Sequence, residues 1–191
     1  MIGVEFNIEG NPFAPATKSD RRGVSDYPGF MDIVRLTKPA QCTLVPDTDS
    51  QLTSDHGFDL RKDGDSLAPI IAELKTLGIR VSLFMDPDPS QIRLAKDVGA
   101  DRIELYTGPY AESFGSQQQD AILNQFIAAS ETAAEQGLGL NAGHDLNLHN
   151  LFLFKNSVHN LLEVSIGHAF TVDAIEMGLD SCIKSYLNCL R

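Results

Sequence analysis

The chain has 191 residues, 42% of them hydrophobic, with 26 acidic against 15 basic side chains and a formal net charge of −11. That length and apolar fraction fit a folded chain with a core and exclude a disordered one, and the acidic balance argues against nucleic acid, whose phosphates call for a basic face. No apolar run reaches the ~20 residues of a membrane helix, the start "MIGVEFNIEG" lacks the layout of a secretion signal, and Cys42, Cys182 and Cys189 form no disulfide or zinc pattern, so a reducing, cytoplasmic setting is expected.

The first expected strand spans 3–9. In it Val4, Phe6 and Ile8 alternate with Glu5, Asn7 and Glu9, which puts the polar set on one face. Glu9 stands at the strand end, where it is either a general base or a solvated carboxylate. A Pro-, Gly- and charge-rich loop follows over 10–26, long enough to read as functional or mobile. A helix is expected at 27–38 and a second strand at 41–46. A second long loop, 47–64, carries Thr53, Ser54, Asp55 and His56.

Beyond it the spacing predicts a helix at 65–77, a strand at 80–86, a helix at 90–98 and a strand at 102–108. Within "RIELYTG", Glu104 shares a face with Tyr106; inside a barrel such a carboxylate must be paired, hydrogen-bonded or protonated, whereas on an outer face it is a surface charge. A long helix at 117–136 follows, with Ile122, Phe126, Ala129 and Ala133 on one stripe. A strand at 139–144 ends in Gly143-His144, a helix covers 148–155, and a strand at 161–168 ends in Gly167-His168. The final helix, 172–190, has Val172, Ile175, Leu179, Ile183, Tyr186 and Leu190 at helical spacing, with Thr171 as its N-cap.

Six βα units in a row mean a parallel sheet covered by helices. No Gly-rich phosphate loop follows the first strand, which weakens a dinucleotide-binding sheet. Polar residues end nearly every strand: Glu9, Asp47, Asp86, Thr107, His144 and His168. A barrel gathers such ends at one mouth. The expected fold is therefore an α/β, TIM-barrel-like (β/α) repeat of about six units, an incomplete or short barrel, in a single domain over 1–191. Its two sheet edges are expected either to pair with other chains as a homo-oligomer or to close into a smaller barrel.

An imidazole, such as the one His144 carries, is the side chain suited to proton donation near neutral pH, and a structural hydrogen-bonding role is the alternative for His144. Gly143, Gly167 and His168 are candidates to hold a phosphate, because glycine admits close approach and the helix start favours an anion; a tight turn also explains the glycines. His149 and His159 read as surface or packing residues. No metal-ligand spacing and no nucleophile elbow occur. Two glutamates and a histidine without nucleophile or metal point to proton transfers in an enolisation, dehydration or condensation.

The stretches "FNIE", "CTLVPD", "LTSDHGFDL", "LGIRVSLFMDPD", "GADRIELYTGPYA", "GLGLNAGHDLNLHN" and "SIGHAF" together resemble the pyridoxine 5′-phosphate synthase family. The resemblance implies a (β/α)₈ barrel that condenses 3-amino-2-oxopropyl phosphate with 1-deoxy-D-xylulose 5-phosphate, releasing water and inorganic phosphate, with no cofactor and no metal. It implies Glu9 as proton acceptor, His144 as proton donor and Glu104 as the carboxylate that stabilises charged intermediates. Thr53 matches a contact to the deoxyxylulose phosphate; Asp145, Gly167 and His168 match the site for the other phosphate. The family usually has glycine where Asp145 stands. The loop after Glu9 is longer than the family's. The chain begins at what resembles the family's third strand, so the earlier Asn/Asp pair, the Arg and the His-x-Arg segment have no counterpart in these residues; Arg21 and Arg22 are candidates to replace a cation. The alternative expectation is a truncated, non-catalytic relative that binds a phosphorylated ligand or partner.

Overall fold

The computed structural model describes residues 3–48 and 50–191. Six strands alternate with helices: β1 (Asn7–Gly10), α1 (Phe30–Thr37), β2 (Gln41–Leu44), α2 (Leu60–Thr76), β3 (Arg80–Met85), α3 (Pro89–Asp97), β4 (Arg102–Tyr106), α4 (Gly108–Ser113), α5 (Gln119–Glu135), β5 (Gly139–Gly143), α6 (Leu151–Ser157), β6 (Leu161–Ser165), α7 (His168–Met177) and α8 (Leu179–Cys189). The strands form one sheet in chain order, β1-β2-β3-β4-β5-β6, and each neighbouring pair is parallel.

The sheet is curled. β2 and β6 stand four places apart, which in a flat sheet means ~19 Å at the usual strand spacing. Yet Gln41 Nε2 on β2 donates to Glu163 Oε2 on β6 at 3.1 Å. This is α/β architecture of the TIM-barrel type. It does not close into a smaller barrel: among the described residues β1 and β6 are the two ends of the sheet and do not pair with each other.

Alternation along each strand sorts residues onto two faces. Cys42, Leu44, Val81, Leu83, Ile103 and Leu105 are buried in the hydrophobic core, with Leu67, Ile71, Phe126 and Phe154 from the helices. The opposite, concave face is largely polar. Gln41, Thr43, Ser82, Glu104 and Asn141 are buried there, with Phe84 beside Glu104 as an apolar exception. Ordinary barrels fill that space with Val, Ile and Leu; here most of it is given to hydrogen-bonding and ionisable groups.

Several bounds differ from the sequence expectation. The first strand is shorter and α2 starts earlier, because Asp59 caps it by accepting from the Arg61 N–H. A short helix, α4, precedes α5 and begins at Gly108, whose neighbour Pro109 sits in the first turn, where a missing N–H costs nothing. The loop over 10–26 folds back on itself, with paired backbone hydrogen bonds between Thr17 and Tyr27 at 2.8 Å. The expected last helix is two helices. Gly178, at φ 83° and ψ 146°, breaks it in a conformation that side chains reject. Its expected apolar stripe is correspondingly not a core face: Val172, Ile175, Leu179 and Ile183 are exposed, while Tyr186 is buried. Thr171 is not the N-cap; it lies inside α7 and its hydroxyl donates back to the Gly167 carbonyl at 2.9 Å.

Candidate active site

The carboxyl ends of β1, β4, β5 and β6 meet at a cavity of about 390 Å³. Its lining includes seven of the residues singled out above, Glu9, Thr53, Glu104, His144, Asp145, Gly167 and His168, while the phosphate candidate Gly143 is not among the lining residues. Residues far apart in the chain share one wall because parallel strands all deliver their ends to the same rim.

Glu104 is the most enclosed of them, with 1% of its surface exposed. The Thr43 hydroxyl lies 3.4 Å from its carboxyl and 3.3 Å from the Asn7 side-chain oxygen. Burial, and then the nearby Glu9 carboxylate, push Glu104 up to about 8, while hydrogen bonds from Ser165 and Thr43 pull it back. Gly143 makes room for this carboxyl: a Cβ there would lie 2.2 Å from the nearer Glu104 oxygen. The glycine before His144 thus has a steric reason besides any phosphate. Glu9 opens into the cavity, and its proton affinity is raised by desolvation against the barrel wall and by Asp47, with His144 opposing.

His144 is held at both nitrogens. Nε2 lies 2.7 Å from Thr53 Oγ1 and Nδ1 lies 2.9 Å from Asp145 Oδ2. The Tyr106 ring meets it edge-on at 5.3 Å, and His168 stands at 6.3 Å between ring centres. Gly167 and His168 open α7, so the first-turn N–H groups of a ten-residue helix face this rim.

Sequence reading missed Thr43, Ser165 and the contact role of Tyr106. Alternation carried the signal, since Thr43 follows Gln41 by two residues and Tyr106 follows Glu104 by two. Arg21 and Arg22 sit exposed in the folded loop and are not among the cavity-lining residues. His56 pairs with Asp55 at 2.5 Å outside the cavity, and His149 and His159 are exposed. Among the described residues no cluster of three or more His, Cys, Asp or Glu is placed to hold a metal ion, and no helix is long and apolar enough to cross a membrane.

Comparison with known proteins bears on this site. The family model of the pyridoxal phosphate biosynthesis protein PdxJ matches residues 2–191. A pyridoxine 5′-phosphate synthase of Xanthomonas campestris pv. campestris (strain B100) is 54% identical over 187 residues, covering 98% of this chain and 70% of the relative. One from Xanthomonas axonopodis pv. citri (strain 306) is 53% identical, covering 99% of this chain and 71% of the relative. Among solved structures, a xylose isomerase domain protein from Planctomyces limnophilus aligns with TM-score 0.56 at 11% identity, covering 98% of this chain and 71% of that one. An HMG-CoA lyase from Brucella melitensis aligns with TM-score 0.52 at 15% identity, covering 98% and 68%. At such identities these two speak to the fold alone.

Proposed function

The chain belongs to the PdxJ family of pyridoxal phosphate biosynthesis proteins, and on that footing we propose that its cavity condenses 3-amino-2-oxopropyl phosphate with 1-deoxy-D-xylulose 5-phosphate to give pyridoxine 5′-phosphate by acid–base catalysis. The observation that carries the reading is the convergence of Glu9, Glu104 and His144 in one cavity beside the start of α7.

Each group has a task its surroundings suit. Glu9, with raised proton affinity, takes a proton from substrate carbon or nitrogen near neutral pH. His144 delivers a proton to the departing oxygen. Glu104, deep in the cavity and raised in proton affinity, is the carboxylate that stabilises charged intermediates. Gly167, His168 and the backbone N–H of Asp145 hold one phosphate, and Thr53 contacts the deoxyxylulose phosphate. In this reading the substrates are phosphorylated small molecules, the protein works in the cytoplasm as a homo-oligomer, and the chemistry uses neither metal nor cofactor.

A second reading, ligand binding without turnover, is favoured by one feature: no lysine or arginine is among the residues lining the cavity, although both substrates are anionic. One experiment separates the two. The 191-residue chain is incubated with both substrates, and pyridoxine 5′-phosphate and inorganic phosphate are measured. Their release in equal amounts supports the synthase. Saturable binding of either substrate by calorimetry without product supports the second reading, and neither turnover nor binding sinks both. Light scattering on the same sample reports whether the particle exceeds the 20.8 kDa chain.

A further inference from the structure

We propose that Asp145 is a positioning residue that pins the Nδ1 proton of His144, so that the ring gains and loses its working proton only at Nε2, the nitrogen facing Thr53 and the cavity. The inference rests on the reading of His144 as the proton donor and adds to it the device that selects which nitrogen does the work.

The geometry is specific. A carboxylate can only accept, so the 2.9 Å contact between Asp145 Oδ2 and His144 Nδ1 requires a proton on Nδ1. In the neutral ring Nε2 is then bare and accepts from the Thr53 hydroxyl at 2.7 Å; in the cation Nε2–H donates to that hydroxyl or to a substrate oxygen that replaces it. Free imidazole divides its neutral proton between the two nitrogens. Here the carboxylate removes the choice, as second partners of working histidines commonly do.

The backbone is bent to make this contact. His144 has φ 79° and Asp145 φ 58°, two consecutive non-glycine residues in the left-handed region. Such a conformation is strained for a residue with a Cβ and persists where its surroundings hold it. They do: the Thr107 hydroxyl lies within reach of the Gly143 carbonyl at 2.8 Å and of the His144 carbonyl and shares its one proton between them, and the Asn150 amide donates to the Asp145 carbonyl at 3.2 Å. The turn brings the Asp145 carboxylate back onto the imidazole. The other polar or charged groups around the ring are Tyr106, His168 and Glu9, and none is hydrogen-bonded to Nδ1.

The test is nitrogen NMR of the histidine-labelled full chain at a pH of about 8, above the usual imidazole value near 6.5. His144→Gln assigns the resonances by removing them. In the unaltered protein Nε2 should resonate downfield, as an unprotonated nitrogen, and Nδ1 upfield. Asp145→Gly suits a positive-φ position and so should fold; it should move the two shifts toward each other as the tautomers mix. Asp145→Asn, whose oxygen still accepts from Nδ1–H, should keep the original pattern. A proton resident on Nε2 in the unaltered neutral ring, or unchanged shifts in Asp145→Gly, overturns the proposal. The expected shifts in a protein that turns over neither substrate support it while counting against the synthase reading.

Discussion

Glu104 and Thr43 present a counting problem that bears on charge. The Thr43 hydroxyl lies within hydrogen-bond reach of both the Glu104 carboxyl and the Asn7 oxygen, and one hydroxyl carries one proton. Either Asn7 turns its amide N–H to Thr43, which then donates to Glu104, or Glu104 is protonated and donates to Thr43, which donates to Asn7. The second arrangement agrees with the elevation of Glu104 to about 8 by burial and by Glu9. The consequence for stability has a definite sign. The folded state holds this proton more tightly than the unfolded chain, whose glutamate titrates near 4.5. The group's contribution to stability is therefore fully present below about 4.5 and is lost as pH rises through about 8. Glu104→Gln keeps the shape and has no charge to bury. Its stability to urea should gain on the unaltered protein steadily between those pH values, reaching an advantage of order a few kcal/mol above pH ~9. A constant difference across the range would mean that Glu104 is ionised in the fold. That Glu104 faces inward was legible from its alternation with Ile103 and Leu105. That it is proton-holding was not, because its partners Thr43 and Asn7 come from strands roughly 60 and 100 positions earlier.

Elements with strong local punctuation were readable and those without were misread. The order of six βα units, the stripe of α5 and the strand ends all follow from period-2 and period-3.6 patterns within short windows. The final helix failed for a physical reason. Apolar residues recur through 172–190 at helical spacing, so periodicity reads one helix, but Gly178 lies in the middle and its φ of 83° turns the chain between α7 and α8. Phe170 and Tyr186 then stack across the break at 5.5 Å, and the Tyr186 hydroxyl donates to Asp173 at 2.6 Å. A continuous helix would carry Tyr186 away from both. Gly178→Ala tests this. Alanine disfavours the bend and promotes the straight helix, so the variant should lose about 1 to 3 kcal/mol in a urea titration. A neutral or stabilising effect would show that α7 and α8 merge at no cost. The Gly-His pairs were likewise legible as chain landmarks, while the positive φ of His144 and Asp145 was not, because His and Asp, though enriched at positive φ among side-chain-bearing residues, adopt it far less often than glycine.

At the scale of the whole molecule, the question is what keeps a six-stranded sheet curled so that its strand ends converge. Apolar packing of helices on the convex face pushes in that direction, and the concave floor adds a specific tie. Glu163 on β6 pairs with Arg102 on β4 at 2.8 Å and approaches Arg80 on β3 at 3.5 Å. It also accepts from Gln41 on β2 and Asn141 on β5, each at 3.1 Å. One carboxylate thus joins β6 to four other strands at the end opposite the cavity. Its side chain is 38% exposed and that of Arg102 is 16% exposed, so the tie lies between a surface pair, worth 0 to 1 kcal/mol, and a buried one, whose rupture costs several. A double-mutant cycle with Glu163→Gln and Arg102→Gln decides its weight. If the floor holds the curl, the coupling in urea unfolding should be about 1 to 2 kcal/mol. Glu163→Gln should also loosen the cavity rim two strand residues, about 7 Å, above it on the ~3.3 Å rise per residue, seen as faster amide exchange at Gly143 and Ser165. A coupling under about 0.5 kcal/mol with unchanged exchange would assign the curl to the backbone twist and the helix-facing core instead.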